Sequence, residues 1–414
     1  MNIVAVPMKE RRSVAIGIWV KVGGRDEEPR LSGVSHFLEH IVFKGTGKRS
    51  TNQIKEAVEG VGGSLNAFTG EEVTCFLAKV SHRHMRPVFD VLADMVFHAT
   101  LDEKEIKKER SVILEEIKMT QDQPGQLVDE LLSEIIWPGH ALGRALAGTA
   151  ESVGSLTRDD IFNYKKRFYV PDLITVVAAG AVRQKELEAM TKDFFPAENR
   201  AASDTKIKLF DVAGKRGSFK FLCKPTEQTH LAIGMHSLPK DHPDEYVLDI
   251  LNIILGGNMS SRLFNEVREE RGLAYDISSY TKKYHETGAF VVEAGVDHAK
   301  APEAIEVILK ELLKMMETPV LKDELKRAKD FYLGQLDLSL ESSMNQMLWA
   351  GESIVSSGKR QTYDQVSTEV EKVSPDNLKR VAKSIFKSRS MCLAAVGPKA
   401  SDLEKEFSRF LSII

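Results

Sequence analysis

The spacing of apolar residues divides the chain into alternating strand-like and helix-like stretches. Ser13-Val-Ala-Ile-Gly-Ile18 is a short run rich in β-branched residues and reads as a strand. His230-Leu-Ala-Ile-Gly-Met235 repeats it near mid-chain, with Gly17 and Gly234 separated by 217 positions. Ile174-Thr-Val-Val-Ala-Ala-Gly180 leads into an amphipathic segment over 184–195, and Met391-Cys-Leu-Ala-Ala-Val-Gly397 into another over 402–411. Gly180 and Gly397 are again 217 apart. Between these markers the halves keep one order. The segment 101–109 matches 321–328, each opening a long helix, and 61–68 matches 271–275, each opening a strand hairpin. Two independent pairs at one offset indicate an internal duplication.

Each half therefore predicts strand, helix, hairpin, two or three helices, strand, helix. That order implies an α+β fold of two homologous α/β sandwich domains, each a mixed, largely antiparallel sheet with helices packed on it. The polar stretch 196–217 contains the join. The expected division is an N-terminal domain over 1–205, a linker over 206–217 and a C-terminal domain over 218–414.

A chain of 414 residues is too long for one ordinary core, which agrees with two domains. With 42% apolar and 28% charged residues the composition is that of a globular protein. A formal charge of −3 gives no reason to expect nucleic acid or an anionic membrane as partner. The runs 104–110 and 322–329 mix both signs at helical spacing and read as solvated helix faces. No apolar stretch reaches the ~18 residues of a membrane span, and the first residues lack the features of a signal peptide. Cys75, Cys223 and Cys392 are odd in number and far apart, which argues against a disulfide framework or a cysteine zinc site. Their strand-like neighbours predict buried, inert thiols, as suits a cytoplasmic protein.

The chemistry concentrates in His36-Phe-Leu-Glu39-His40. The segment to Phe43 reads as a helix that Ser32 or Ser35 could cap. At about 100° per residue, His36, Glu39 and His40 share an arc of about 100°. Two imidazoles one turn apart can bind one metal ion, and neutral histidine suits Zn²⁺. The glutamate stands in the inverse of the HExxH order, where it can take a proton from an activated water. A catalytic zinc needs a third protein ligand. Glu109 and Glu116 both qualify, being seven apart on one helix face and so about 10.5 Å apart along a straight axis. One would bind the ion and the other would bond to a ligand from behind; spacing alone does not choose. Glu115 points about 100° away, toward solvent.

The second half lacks this set. At the same offset His36 and His40 become Ile253 and Gly257, and the matched helix starts turn Glu109 and Glu116 into Ala328 and Gln335. Gly256-Gly257 is followed by no Gly-Lys-Ser/Thr, so it reads as a tight turn before a helix rather than a phosphate cradle. Arg268 and Tyr275 place a fixed charge and a phenol near a helix-to-strand corner, groups able to hold an oxyanion. Taken alone, they read more simply as a surface ion pair and a packed ring.

The chain resembles the pitrilysin/insulinase family of zinc metallopeptidases. It is most similar to bacterial processing-protease members that are akin to the β subunit of mitochondrial processing peptidase. The resemblance rests on Gly33-Val-Ser-His-Phe-Leu-Glu-His-Ile-Val-Phe-Lys-Gly-Thr46, Gly62-Gly-Ser-Leu-Asn-Ala-Phe-Thr69 and Glu109-Arg-Ser-Val-Ile-Leu-Glu-Glu-Ile117. Leu142-Gly-Arg144, the segment 256–275 and Gly334-Gln-Leu-Asp-Leu-Ser-Leu-Glu-Ser342 extend it over nearly the whole chain. It implies one zinc per chain on His36, His40 and Glu116, the last selected by its separation of 76 from His40. It further implies Glu39 as general base, Glu109 bonded behind a ligand, and Asn66 and Ala67 on an edge strand that pairs with an extended peptide. Arg268 and Tyr275 would contact the substrate carbonyl or tetrahedral intermediate. Longer relatives enclose a chamber with four such domains, so a two-domain chain would dimerise, as a homodimer or a heterodimer, with Arg268 and Tyr275 facing the partner's zinc. Relatives also carry an extra strand before the segment that begins here at Met1: either its loss exposes a sheet edge or the start is assigned late. The expected activity is endopeptidase cleavage of unfolded or extended peptides. The alternative is an inactive peptide-binding subunit, but such subunits lack part of the metal set or the Arg/Tyr pair, and this chain has both.

Overall fold

The computed structural model describes residues 1–196, 208–212, 214, 216–399 and 403–411. Two five-stranded sheets form. The first contains β1 (Asn2–Pro7), β2 (Ser13–Val20), β3 (Ser64–Thr69), β4 (Thr74–Ser81) and β5 (Ile174–Gly180), in the order β1-β5-β2-β4-β3. The second contains β6 (Phe219–Cys223), β7 (Thr229–Ser237), β8 (Ala274–Lys283), β9 (Gly288–Val296) and β10 (Cys392–Gly397), in the order β6-β10-β7-β9-β8. Each sheet has one parallel pair, β1 with β5 and β6 with β10, and is otherwise antiparallel. The duplication expected from the offset of 217 is therefore a duplication of topology: Gly17 and Gly234 lie in the equivalent strands β2 and β7, and Gly180 and Gly397 end the equivalent strands β5 and β10.

The apolar runs of β2 and β5 lack a clean polar alternation because both faces of the first sheet are covered. Val14, Ile16, Ile18, Val176 and Ala178 enter one core, while Ala15, Trp19, Val177 and Ala179 enter a second on the opposite face. Four helices carry the argument and are labelled in chain order: α1 (Val34–Ile41), α2 (Glu103–Gln121), α3 (Pro124–Ile136) and α4 (Ser343–Ser357). α1 belongs to the first core through Phe37, Leu38 and Ile41. α4 covers the opposite face with Met347, Ala350 and Ile354. Close approach there depends on glycine, since a Cβ at Gly351 would stand 2.2 Å from the Trp19 ring.

The repeat halves of the sequence and the compact units of the structure are different partitions. One unit comprises 1–118, 144–208 and 337–361; the other comprises 119–143, 209–336 and 362–414. The apolar stripe of α3, with Leu127, Val128, Leu132 and Ile136, packs with Ala232, Val291 and Ala394 of the second sheet. Each sheet thus covers one face with a helix from the other half of the sequence. Of the expected linker, residues 206, 207, 213 and 215 lie outside the described residues. Cys75 and Cys392 are buried as expected, but Cys223 is exposed because it ends the edge strand β6, where burial falls away. Among the described residues no helix is long and apolar enough to cross a membrane.

Candidate metal centre

α1 is only eight residues long and needs a firm start. Neither expected serine caps it. Its N-cap is Gly33, at φ 91°, where a Cβ would stand 2.5 Å from the Ala147 carbonyl oxygen. The free N–H groups go instead to Glu27, whose Oε2 accepts from Gly33 and Oε1 from Ser35, each at 2.8 Å. Burial pushes the Glu27 carboxyl up to about 7, against the pull of these two N–H groups. Ser35 spends its hydroxyl on Tyr164, at 2.9 Å. With Phe37, Leu38 and Ile41 in the core, the half-buried face of α1 carries His36, Glu39 and His40.

α2 brings the two candidate glutamates, and their roles separate. Glu116 Oε2 lies 3.7 Å from His36 Nε2 and 3.6 Å from His40 Nε2. The two rings stand with centroids 4.7 Å apart and planes at 69°. Glu109 approaches the far side of His40, with Oε2 3.3 Å from Nδ1. Lys44 Nζ, from the turn just after α1, stands 2.7 Å from Glu109 Oε1. Glu115 points outward and pairs with Lys118 at 2.7 Å.

His36, His40 and Glu116 each offer a ligand atom, all within 4.8 Å of one another. The Glu116 Oε2 distances of 3.7 and 3.6 Å to the two Nε2 atoms lie inside the ~4.4 Å that two donors, each about 2.0–2.2 Å from a shared ion, can span, so these groups suit a shared zinc ion. Burial, with the neighbouring His40, lowers the His36 pKa to about 4, so its imidazole is neutral at pH 7 and needs no proton removed before binding a metal. Glu39 contributes no atom to the trio. Its Oε2 accepts from Thr69 Oγ1 at 2.6 Å, and burial raises its carboxyl above the usual range. A carboxyl so placed is suited to exchanging a proton.

β3 is the edge of its sheet, with Asn66 exposed and Ala67 half-buried. Asn66 Oδ1 accepts from the Ala67 N–H at 2.9 Å, which occupies that amide. In the second unit Arg268 lies in a π-helical turn over 264–269, and Tyr275 is the second residue of β8. The Arg268 guanidinium sits 5.3 Å from the Tyr275 ring centre and 4.6 Å from that of Phe264, while the Tyr275 side chain is 76% exposed. The charge and the phenol thus form one pair, with Arg268 half-buried, and the ring is not packed away.

Three functional neighbours were not picked out by spacing. Lys44 stands four residues after His40, and that interval was its available signal. Thr69 ends the strand of Asn66 and Ala67. Glu27 has no local signal beyond being an acid a few residues ahead of a helix.

The family model described as insulinase (peptidase family M16) matches residues 3–150, and the one described as the peptidase M16 inactive domain matches 155–332. A protein named an uncharacterized zinc protease in Bacillus subtilis is 37% identical over 392 residues, 94% of each chain. Another of that description in Streptomyces coelicolor is 36% identical over 403 residues, 96% of this chain and 88% of the relative. Among solved structures, a protease from Helicobacter pylori has TM-score 0.89 at 23% identity, over 95% of this chain and 96% of that one. A peptidase M16 inactive domain from Pseudomonas fluorescens has TM-score 0.87 at 18% identity, over 96% of both chains. These two likenesses are likenesses of fold.

Proposed function

Because the chain belongs to the insulinase family, peptidase family M16, we propose that it is a zinc-dependent endopeptidase acting on unfolded or extended peptides, with one zinc per chain. The observation that carries this reading is the convergence of His36, His40 and Glu116 within 4.8 Å, beside a second acid, Glu39, that contributes no atom to the trio.

His36, His40 and Glu116 would hold the ion. When bound, zinc supplies Lewis acidity, which lowers the pKa of water toward about 7 and polarises a carbonyl. The chain's own groups do the rest. Glu39 takes a proton on its carboxylate from the attacking water and returns it to the leaving amine. Thr69 donates to Glu39 Oε2 and so holds that carboxyl in place. Peptide would pair along β3 by strand addition, which places its backbone at the strand that ends in Thr69. Cleavage of an unstructured peptide, read by mass spectrometry, should stop on zinc chelation and return with added zinc. Protein of confirmed zinc content that cleaves nothing, or an activity indifferent to chelation, would overturn the reading.

The chain would work as a dimer, with Arg268 and Tyr275 of one copy serving the zinc site of its partner by stabilising the oxyanion. Mixing inactive Glu39→Gln with inactive Arg268→Ala should then restore part of the activity, since mixed dimers keep one intact site. Unchanged inactivity in demonstrably mixed dimers would contradict sharing across copies. Three free cysteines, one exposed, suit a cytoplasmic setting.

A further inference from the structure

Three side chains form a line that leads away from the ligand trio. His40 turns Nε2 toward Glu116 and Nδ1 toward Glu109, at 3.6 and 3.3 Å. The other oxygen of Glu109 meets Lys44 Nζ at 2.7 Å. The Glu109 side chain is 7% exposed and that of Lys44 is 27% exposed. The geometry points to Lys44 as a positioning residue for the metal centre. It fixes the Glu109 carboxylate so that His40 keeps its proton on Nδ1 and presents Nε2 to the ion. This inference rests on the zinc reading and goes beyond it, since the partner of Lys44 is Glu109 and not a member of the ligand trio.

The physical reasons are local. A carboxylate buried this deeply is costly unless a cation and hydrogen bonds compensate it, and removing the cation leaves the acid free to rotate. That rotation would remove the acceptor behind His40. An acceptor on the outer nitrogen sets the tautomer and ring orientation of a metal-bound histidine. The two rings are unequal in this respect. Among the described residues His36 Nδ1 is buried with no hydrogen-bond partner, so there a carboxylate backs His40 and none backs His36. Lys44 also lies in the short turn Val42–Lys44 that continues directly from α1. The anchor and the ligand therefore share one stretch of backbone, while Glu109 and Glu116 share α2. Lys44 and Glu109 thus tie the two ligand-bearing helices together behind the metal site.

Zinc affinity is the direct readout, measured by competition with a chromophoric chelator on purified wild-type and variant chains. Lys44→Met keeps the aliphatic length and loses the charge, and should weaken zinc about 10- to 100-fold. Lys44→Arg, which keeps the charge, should restore most of that affinity. Glu109→Gln should cost about as much as Lys44→Met, and the double variant should lose little more than either single, because both act through one hydrogen bond. Thermal unfolding of the metal-free proteins checks that folding is intact, with Lys44→Gln as a second charge-removing variant if Lys44→Met does not fold. Unchanged zinc affinity in the charge-removing variants, or losses that multiply in the double variant, would overturn the role of Lys44 while leaving the zinc reading in place. A wild-type chain that takes up no zinc would overturn both.

Discussion

Glu39→Gln should retain its zinc and lose turnover by about 10²- to 10⁴-fold, the usual worth of a general acid–base group. The substitution is nearly isosteric, and its amide oxygen can still accept from Thr69, so α1 and β3 keep their hydrogen bond. What disappears is a carboxylate that can carry a proton between the water and the departing amine. The loss should fall on kcat with KM little changed, because peptide pairing along β3 does not use this atom. Metal analysis and steady-state kinetics on one preparation separate the possibilities. Full activity would show that Glu39 is not the base, and loss of zinc would show that it is a ligand.

The second large effect distinguishes two adjacent glutamates. Glu116→Ala removes one of three ligand groups and should abolish stoichiometric zinc and, with it, peptide cleavage. Glu115→Ala removes a side chain that is 68% exposed and paired with Lys118 on the same helix, and should change neither. The contrast is sharp because the residues share helix propensity and charge and differ by one step of about 100° around α2. Metal stoichiometry by mass spectrometry, with the melting temperature in the presence and absence of zinc, reads both. Zinc should raise the melting temperature of wild-type and Glu115→Ala chains and leave Glu116→Ala unmoved. Zinc retained by Glu116→Ala would contradict the assignment.

The parts of this account that sequence made legible are those with a fixed period. His36, Glu39 and His40 are close on a helix by geometry alone, and the offset of 217 marked β2 with β7 and β5 with β10 before any sheet was seen. Spacing could not choose between Glu109 and Glu116, since both lie on one face of α2. The choice depends on which glutamate reaches the Nε2 side of the rings, a tertiary fact. The cap of α1 depends on tertiary structure in the same way: Ser32 and Ser35 are good local caps, but Glu27 outcompetes them by bonding two N–H groups at once from a buried position. Cys223 reads like a core strand residue and is exposed because β6 is an edge strand, which its own neighbours do not reveal. The exchange of α3 and α4 between the halves of the sequence was also hidden. An apolar stripe tells that a helix face is buried, and does not tell against which sheet.

Anomalous diffraction at the zinc edge, on crystals of the purified chain, addresses the metal site itself. The expected result is one peak per chain within about 2.0–2.2 Å of His36 Nε2, His40 Nε2 and a Glu116 oxygen, with Glu39 and Glu109 outside bonding distance. A zinc-loaded crystal with no peak there, or with the ion held by Glu109 or Glu39 in place of Glu116, would contradict it.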